Sequence, residues 1–141
     1  MLKSIKADLT LRGTAVLDGR FEAVLGQYNF PLPMFLEGAR TVLASSNDLL
    51  PALAILHADL LRRKIIRLIP EIIAIDLPRA GRFRTWVRWQ ETQADLSAGR
   101  ISQVVYYCRQ TEGALKTEMM DYTLLSNPDL REAILELPLS A

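Results

Sequence analysis

The chain has 141 residues, half of them hydrophobic, with 17 Lys plus Arg against 16 Asp plus Glu and a net charge of +1. That is one globular domain's worth of chain, without the basic excess of a typical nucleic-acid binder and without the run of about 18 apolar residues that a membrane helix needs. A single cysteine, Cys108, and a single histidine, His57, rule out an internal disulfide and disfavour a zinc site; no metal or cofactor is expected. The first residues lack the apolar core of a signal peptide, which points to a cytoplasmic protein.

Residues 1–13 are ambiguous, and part of this stretch is expected to be loose. In residues 14–28, Leu17, Phe21, Val24, Leu25 and Tyr28 recur at helical spacing, and Pro31 and Pro33 must stop the helix they predict. Two short apolar runs flank Glu37-Gly38-Ala39 and read as a hairpin turning at the glycine. A helix over residues 48–64 follows, with Asp48 as its cap and Pro51 in its first turn. Leu50, Leu53, Leu56, His57, Leu60 and Leu61 line its apolar face, and Arg62, Arg63 and Lys64 lie at the negative end of its dipole.

From Ile66 the texture is β. Strands are predicted over residues 66–77, 82–91, 101–110 and 115–125, joined as an antiparallel meander, and Asn127-Pro128 opens a short helix to about residue 137. The turns predict a register with Leu77 opposite Arg82, Glu71 opposite Arg88, Trp89 opposite Val104 and Gln110 opposite Ala114. This divides the side chains between two faces, and a one-residue slip would exchange them. The inner face holds Val87, Trp89, Tyr106, Glu118, Met120 and Tyr122, and is expected to meet the helices. The outer face holds Ile73, Trp86, Tyr107 and Met119 among several arginines. That mixture is interface composition, and it predicts a homodimer centred on those four residues.

The order of these elements, together with Phe35-Leu36-Glu37-Gly38, the segment Gly81-Arg82-Phe83-Arg84-Thr85-Trp86-Val87-Arg88-Trp89 and the strand Tyr106-Tyr107-Cys108-Arg109, resembles the nuclear transport factor 2-like (SnoaL-like) superfamily over residues 14–125. The resemblance implies an α+β fold in which a curved antiparallel β-sheet wraps around N-terminal helices, the cystatin-like cone, with a pocket between them and a dimer through the outer face. Members include ketosteroid isomerases, scytalone dehydratase, polyketide cyclases and limonene epoxide hydrolase. Neither the isomerases' carboxylate and tyrosine set nor the hydrolase's aspartate–arginine–aspartate set can be matched residue by residue. Fold therefore does not transfer an activity.

Chemistry has few candidates. Glu118, placed on the apolar inner face opposite Tyr106, would have a raised pKa suited to acid–base work, against the plainer reading of a glutamate paired with a basic side chain. His57 is a candidate proton carrier or a satisfied rim residue. Asp76 is the other inner-face acid. Tyr28, Trp89, Tyr106, Tyr122 and Met120 are expected to line a pocket for a small apolar molecule. Cys108 reads as a core residue. The expected role is binding, with metal-free acid–base catalysis as an extension; the alternative is a non-catalytic dimeric interaction or assembly module. A membrane role is not expected, and nucleic-acid binding is disfavoured.

Overall fold

The computed structural model describes residues 2–140. Its elements are α1 (Leu2–Asp18), two 3-10 turns (Phe21–Ala23 and Leu25–Gln27), β1 (Leu32–Leu36), β2 (Ala39–Leu43), α2 (Ser46–Arg62), β3 (Ile65–Ile75), β4 (Arg82–Gln93), β5 (Ala98–Thr111), β6 (Ala114–Leu124) and α3 (Asp129–Leu135). The six strands form one open sheet in the order β2-β1-β6-β5-β4-β3. The expected meander is its antiparallel part. The hairpin joins through β1, which runs parallel to β6, so the sheet is mixed.

The first helix lies earlier than its periodicity suggests. Residues 2–13, expected to be partly loose, belong to α1, which buries Ile5, Leu9, Arg12, Ala15 and Val16. The helix ends at Gly19, whose φ of +73° suits a left-handed cap, and Arg20 N–H closes on the Ala15 carbonyl at 2.9 Å in the manner of a Schellman motif. The expected helix over residues 14–28 therefore breaks after one turn, and its later apolar residues sit in the 3-10 turns. Part of α1's buried face is arginine, glycine and alanine, which dilutes the apolar signal.

Gly13 brings α1 close to the sheet. A Cβ there would lie 2.7 Å from the Leu68 carbonyl oxygen and 3.0 Å from the Trp89 ring. Gly→Ala in a helix ordinarily adds about 1 kcal/mol. Here the obstacle is backbone, and Gly13→Ala is expected to cost about 1–3 kcal/mol instead, measured by urea unfolding.

The hairpin turns at Glu37 and Gly38, both with positive φ (48° and 92°), as a two-residue turn of primed type requires. Ser45, rather than Asp48, caps α2: its Oγ accepts Asn47 N–H at 3.3 Å, while Asp48 accepts from Ala44 N–H at 2.9 Å. Pro51 lies inside the helix, not in its first turn. Leu53 and Leu60 point inward as expected, but Leu61 is 58% exposed and Leu49 is buried in its place.

The register departs from the simple turn count at bulges. Glu71 does face Arg88, and their side chains pair at 3.0 Å. Past Ile72 a bulge sets Ala74 against Trp86, so Leu77 never reaches Arg82; Arg79 bridges it instead. Trp89 lies opposite Ser102 and Val104 opposite Val87, a two-residue shift that preserves the faces. Between β5 and β6 the turn is one residue tighter: Thr111 faces Ala114 and Cys108 faces Thr117, until a bulge sets Tyr106 opposite Met120, two residues from the expected Glu118 and on the expected face again. Over that stretch the faces exchange. Thr117 is buried, and Glu118 turns outward. The core joins Val87, Trp89, Tyr106 and Met120 to Leu53, with Leu56 and Phe21 packed against it.

Candidate functional site: a cavity between helices and sheet

A cavity of about 70 Å³ lies between α1, α2 and the inner sheet face. Tyr28, Trp89, Tyr106 and Tyr122, all expected there, line it beside Leu53 and Leu56. Met120, the fifth expected wall residue, lines instead a smaller void of about 30 Å³ that also touches Tyr122 and Tyr28. Trp89 Nε1 donates to the Tyr106 hydroxyl at 2.9 Å. Burial pushes the Tyr106 hydroxyl up to about 12 and raises that of Tyr122 as well. Both phenols therefore stay protonated near neutral pH, as hydrogen-bond donors rather than bases.

The charged part of the wall comes from residues not expected in the pocket. Arg12 enters from α1. Its Nε donates to Gln27 Oε1 and its Nη2 to Thr117 Oγ1, both at 2.6 Å. Its guanidinium lies over the rings of Tyr28 (4.6 Å) and Tyr106 (5.0 Å). A second group, Asp59, Arg63 and Glu91, ties the end of α2 to β4. Arg63 grips Glu91 with two nitrogens at 2.6 and 2.8 Å and Asp59 with two at 2.7 and 3.0 Å. Asn127 Nδ2 donates to Asp59 at 2.7 Å and so anchors the turn before α3. Burial works to raise the Asp59 pKa, but the hydrogen bonds from Arg63 and Asn127 and the charges of Arg63 and Arg62 hold it below the ordinary carboxylate value. Both carboxylates of the cavity wall are thus committed to a cation.

The two proposed proton carriers lie elsewhere. Glu118 is on the outer face, 3.4 Å from Arg82 Nε and 3.9 Å from Arg109 Nε, and not opposite Tyr106. The physical reason is the one-residue exchange of faces before the bulge. His57 sits between α1 and α2, where Nδ1 donates to the Val16 carbonyl at 2.7 Å and the ring meets the edge of Phe21. It does not line the cavity. Asp76 pairs with Arg84 at 2.7 Å and shares a shallow outer depression with Glu118, so it too leaves the inner face. Cys108 is buried beside Thr85. Among the described residues no three His, Cys, Asp or Glu side chains are grouped to hold a metal, and no helix is long and apolar enough to cross a membrane. On the outer face Ile73 is 51% exposed, Trp86, Tyr107 and Met119 are half-buried, and Arg84 stacks on Trp86 at 4.8 Å.

One signal for the missed network was present. Asp59 and Arg63 are four apart on α2, the spacing of a helical ion pair. Arg12 had no such marker, because it lies in the ambiguous first segment.

No protein-family model matches the sequence, and no curated protein does. Solved structures do. A nuclear transport factor 2-like protein of unknown function from Shewanella oneidensis superposes with a TM-score of 0.66 at 15% identity, over 86% of this chain and 97% of its own. A nuclear transport factor 2-like protein with a cystatin-like fold from Novosphingobium aromaticivorans reaches 0.68 at 13% identity, over 96% of this chain and 88% of its own. A cystatin-like protein of unknown function from Nostoc punctiforme gives 0.65 at 11% identity, over 97% and 95%. At these identities the likeness speaks for architecture, and it agrees with the helices packed on one face of an open six-stranded sheet: the chain has the cystatin-like fold of nuclear transport factor 2-like proteins.

Proposed function

We propose that the protein binds a small, largely apolar molecule in the cavity between its helices and sheet, and that it does so as a homodimer joined through the outer sheet face. The supporting observation is the cavity wall itself. Aromatic rings and leucines supply the apolar surface, and a few buried donors are fixed in place to orient a ligand. Binding is a better account than acid–base turnover, because Asp59 and Glu91 are both held by Arg63. The test is a ligand-observed NMR screen with small neutral and charged organic molecules, read also at the Trp89 indole N–H. Saturable binding with shifts at Trp89 is expected. No binding by any compound, with the indole unmoved, overturns the reading.

The assembly reading rests on a separate observation. Ile69 and Ile73 are 47% and 51% exposed, on β3 at the edge of the sheet. Trp86→Ala is expected to weaken the dimer by about 2 kcal/mol, or roughly 30-fold in Kd, by sedimentation. A monomer at micromolar concentration would discard the dimer and leave the cavity untouched.

A further inference from the structure

Arg12 carries a buried charge that no carboxylate among the described residues contacts directly, and only the half-buried Asp8, one turn earlier on α1, acts on it through its charge. The residue is only 7% exposed. A guanidinium offers five N–H groups in a rigid fork. Gln27 takes the one on Nε and Thr117 takes one on Nη2; Nη1 has no acceptor among the described residues and is within reach of a water-sized group rather than sealed in the core. No carboxylate among them lies within ion-pair distance of Arg12. Across the cavity Asp59 and Glu91 are already matched by Arg63. The two tyrosine rings soften the cost of burying the cation but leave its charge in place.

We infer that the ligand of this cavity is a small organic carboxylate, seated on the free N–H groups of Arg12 with its apolar body against Trp89 and the α2 leucines. The inference rests on the proposal that the cavity binds a small molecule, and names its class. Three features select it. The unmet donors belong to a planar fork that matches a carboxylate. One cation suits a monoanion, whereas a phosphate would need more than Arg12 and would meet an aromatic wall. Size sets the scale: about 70 Å³ has room for about five water-sized groups, which is a short-chain acid. The void on the other side of Arg12, at about 10 Å³, barely admits one water, so the main cavity is where an acceptor fits. Tyr106, whose oxygen accepts the Trp89 indole N–H and which stays protonated near neutral pH, has its own O–H to donate to the second carboxylate oxygen.

The experiment titrates the unmodified protein at neutral pH with propionate, its isosteric amide propionamide, and propanol, following the Trp89 indole and the Arg12 Nε–H by NMR. Propionate is expected to shift both signals and to bind at least about tenfold more tightly than the amide, as a charge-assisted contact should. If amide or alcohol binds as tightly as the acid, the assignment to Arg12 falls while the cavity reading stands. If none of the three binds, both fall. Arg12→Met, apolar and close in length, is expected to erase the preference for the acid; a folded variant that keeps it overturns the inference. Should that variant not fold, acidifying the unmodified protein until propionate is protonated serves instead. Loss of the preference supports the seat on Arg12, and its persistence refutes it.

Discussion

Arg63→Ala is expected to lower the unfolding free energy by about 3–5 kcal/mol at neutral pH, because it strands two buried carboxylates at once. The side chains of Asp59 and Glu91 are each 2% exposed, and Arg63 binds both through four nitrogen–oxygen contacts of 3.0 Å or less. Arg62 stays beside Asp59 at 2.6 Å, so Glu91 bears the larger loss. The pH dependence identifies the mechanism. In the unmodified protein the pKa of Asp59 is depressed, so its stabilisation is complete above the ordinary value of 3.8 and disappears as pH falls through the lower folded value. In the variant Asp59 loses the hydrogen bonds and charge of Arg63, so it has less carboxylate stabilisation to lose on acidification. The difference in stability between the two proteins is therefore expected to shrink on acidification to about pH 4. Urea unfolding at both pH values measures it. A loss under about 1 kcal/mol would show that the network behaves like an exposed ion pair.

Trp89→Ala should cost a similar amount, about 3–5 kcal/mol, for a different reason. The ring is 6% exposed, forms one wall of the cavity, packs against Gly13 and donates its N–H to Tyr106. Truncation removes apolar contacts, takes a hydrogen bond from a buried phenol and merges the vacated space with the existing cavity. Trp89→Phe keeps most of the ring and is expected to lose less, mainly the hydrogen bond at about 1 kcal/mol. Unfolding by urea ranks the two. Equal losses would mean that the indole N–H, not the ring volume, carries the contribution. A larger void should also admit larger ligands in the NMR screen, separating the cavity's role in binding from its part in stability.

Local chemistry was enough to reveal the hairpin, the second helix and the four long strands. Each has a signal within its own few residues: positive-φ turn residues at Glu37-Gly38, a leucine face on α2, β-branched runs closed by Pro78 and Gly113. The aromatic cavity wall was legible for the same reason. Trp89, Tyr106 and Tyr122 alternate along strands, and a register error of two residues leaves alternation unharmed. Position on the sheet was different. A turn shorter by one residue, closed off by a bulge, has no distinctive composition, and one residue reverses a face, which is how Glu118 passed from the pocket wall to a pair of surface arginines. The polar features of the site were also beyond local reading. Arg63 meets Glu91 across 28 residues and Arg12 meets Thr117 across 105, so their partners exist only once helix and sheet have packed. The sequence by itself thus determined the hairpin, the second helix, the long strands and which rings face inward, but not where the first helix lies. Tertiary packing decided which charges are buried and what each one touches, because burial and pairing depend on distances that no local period encodes.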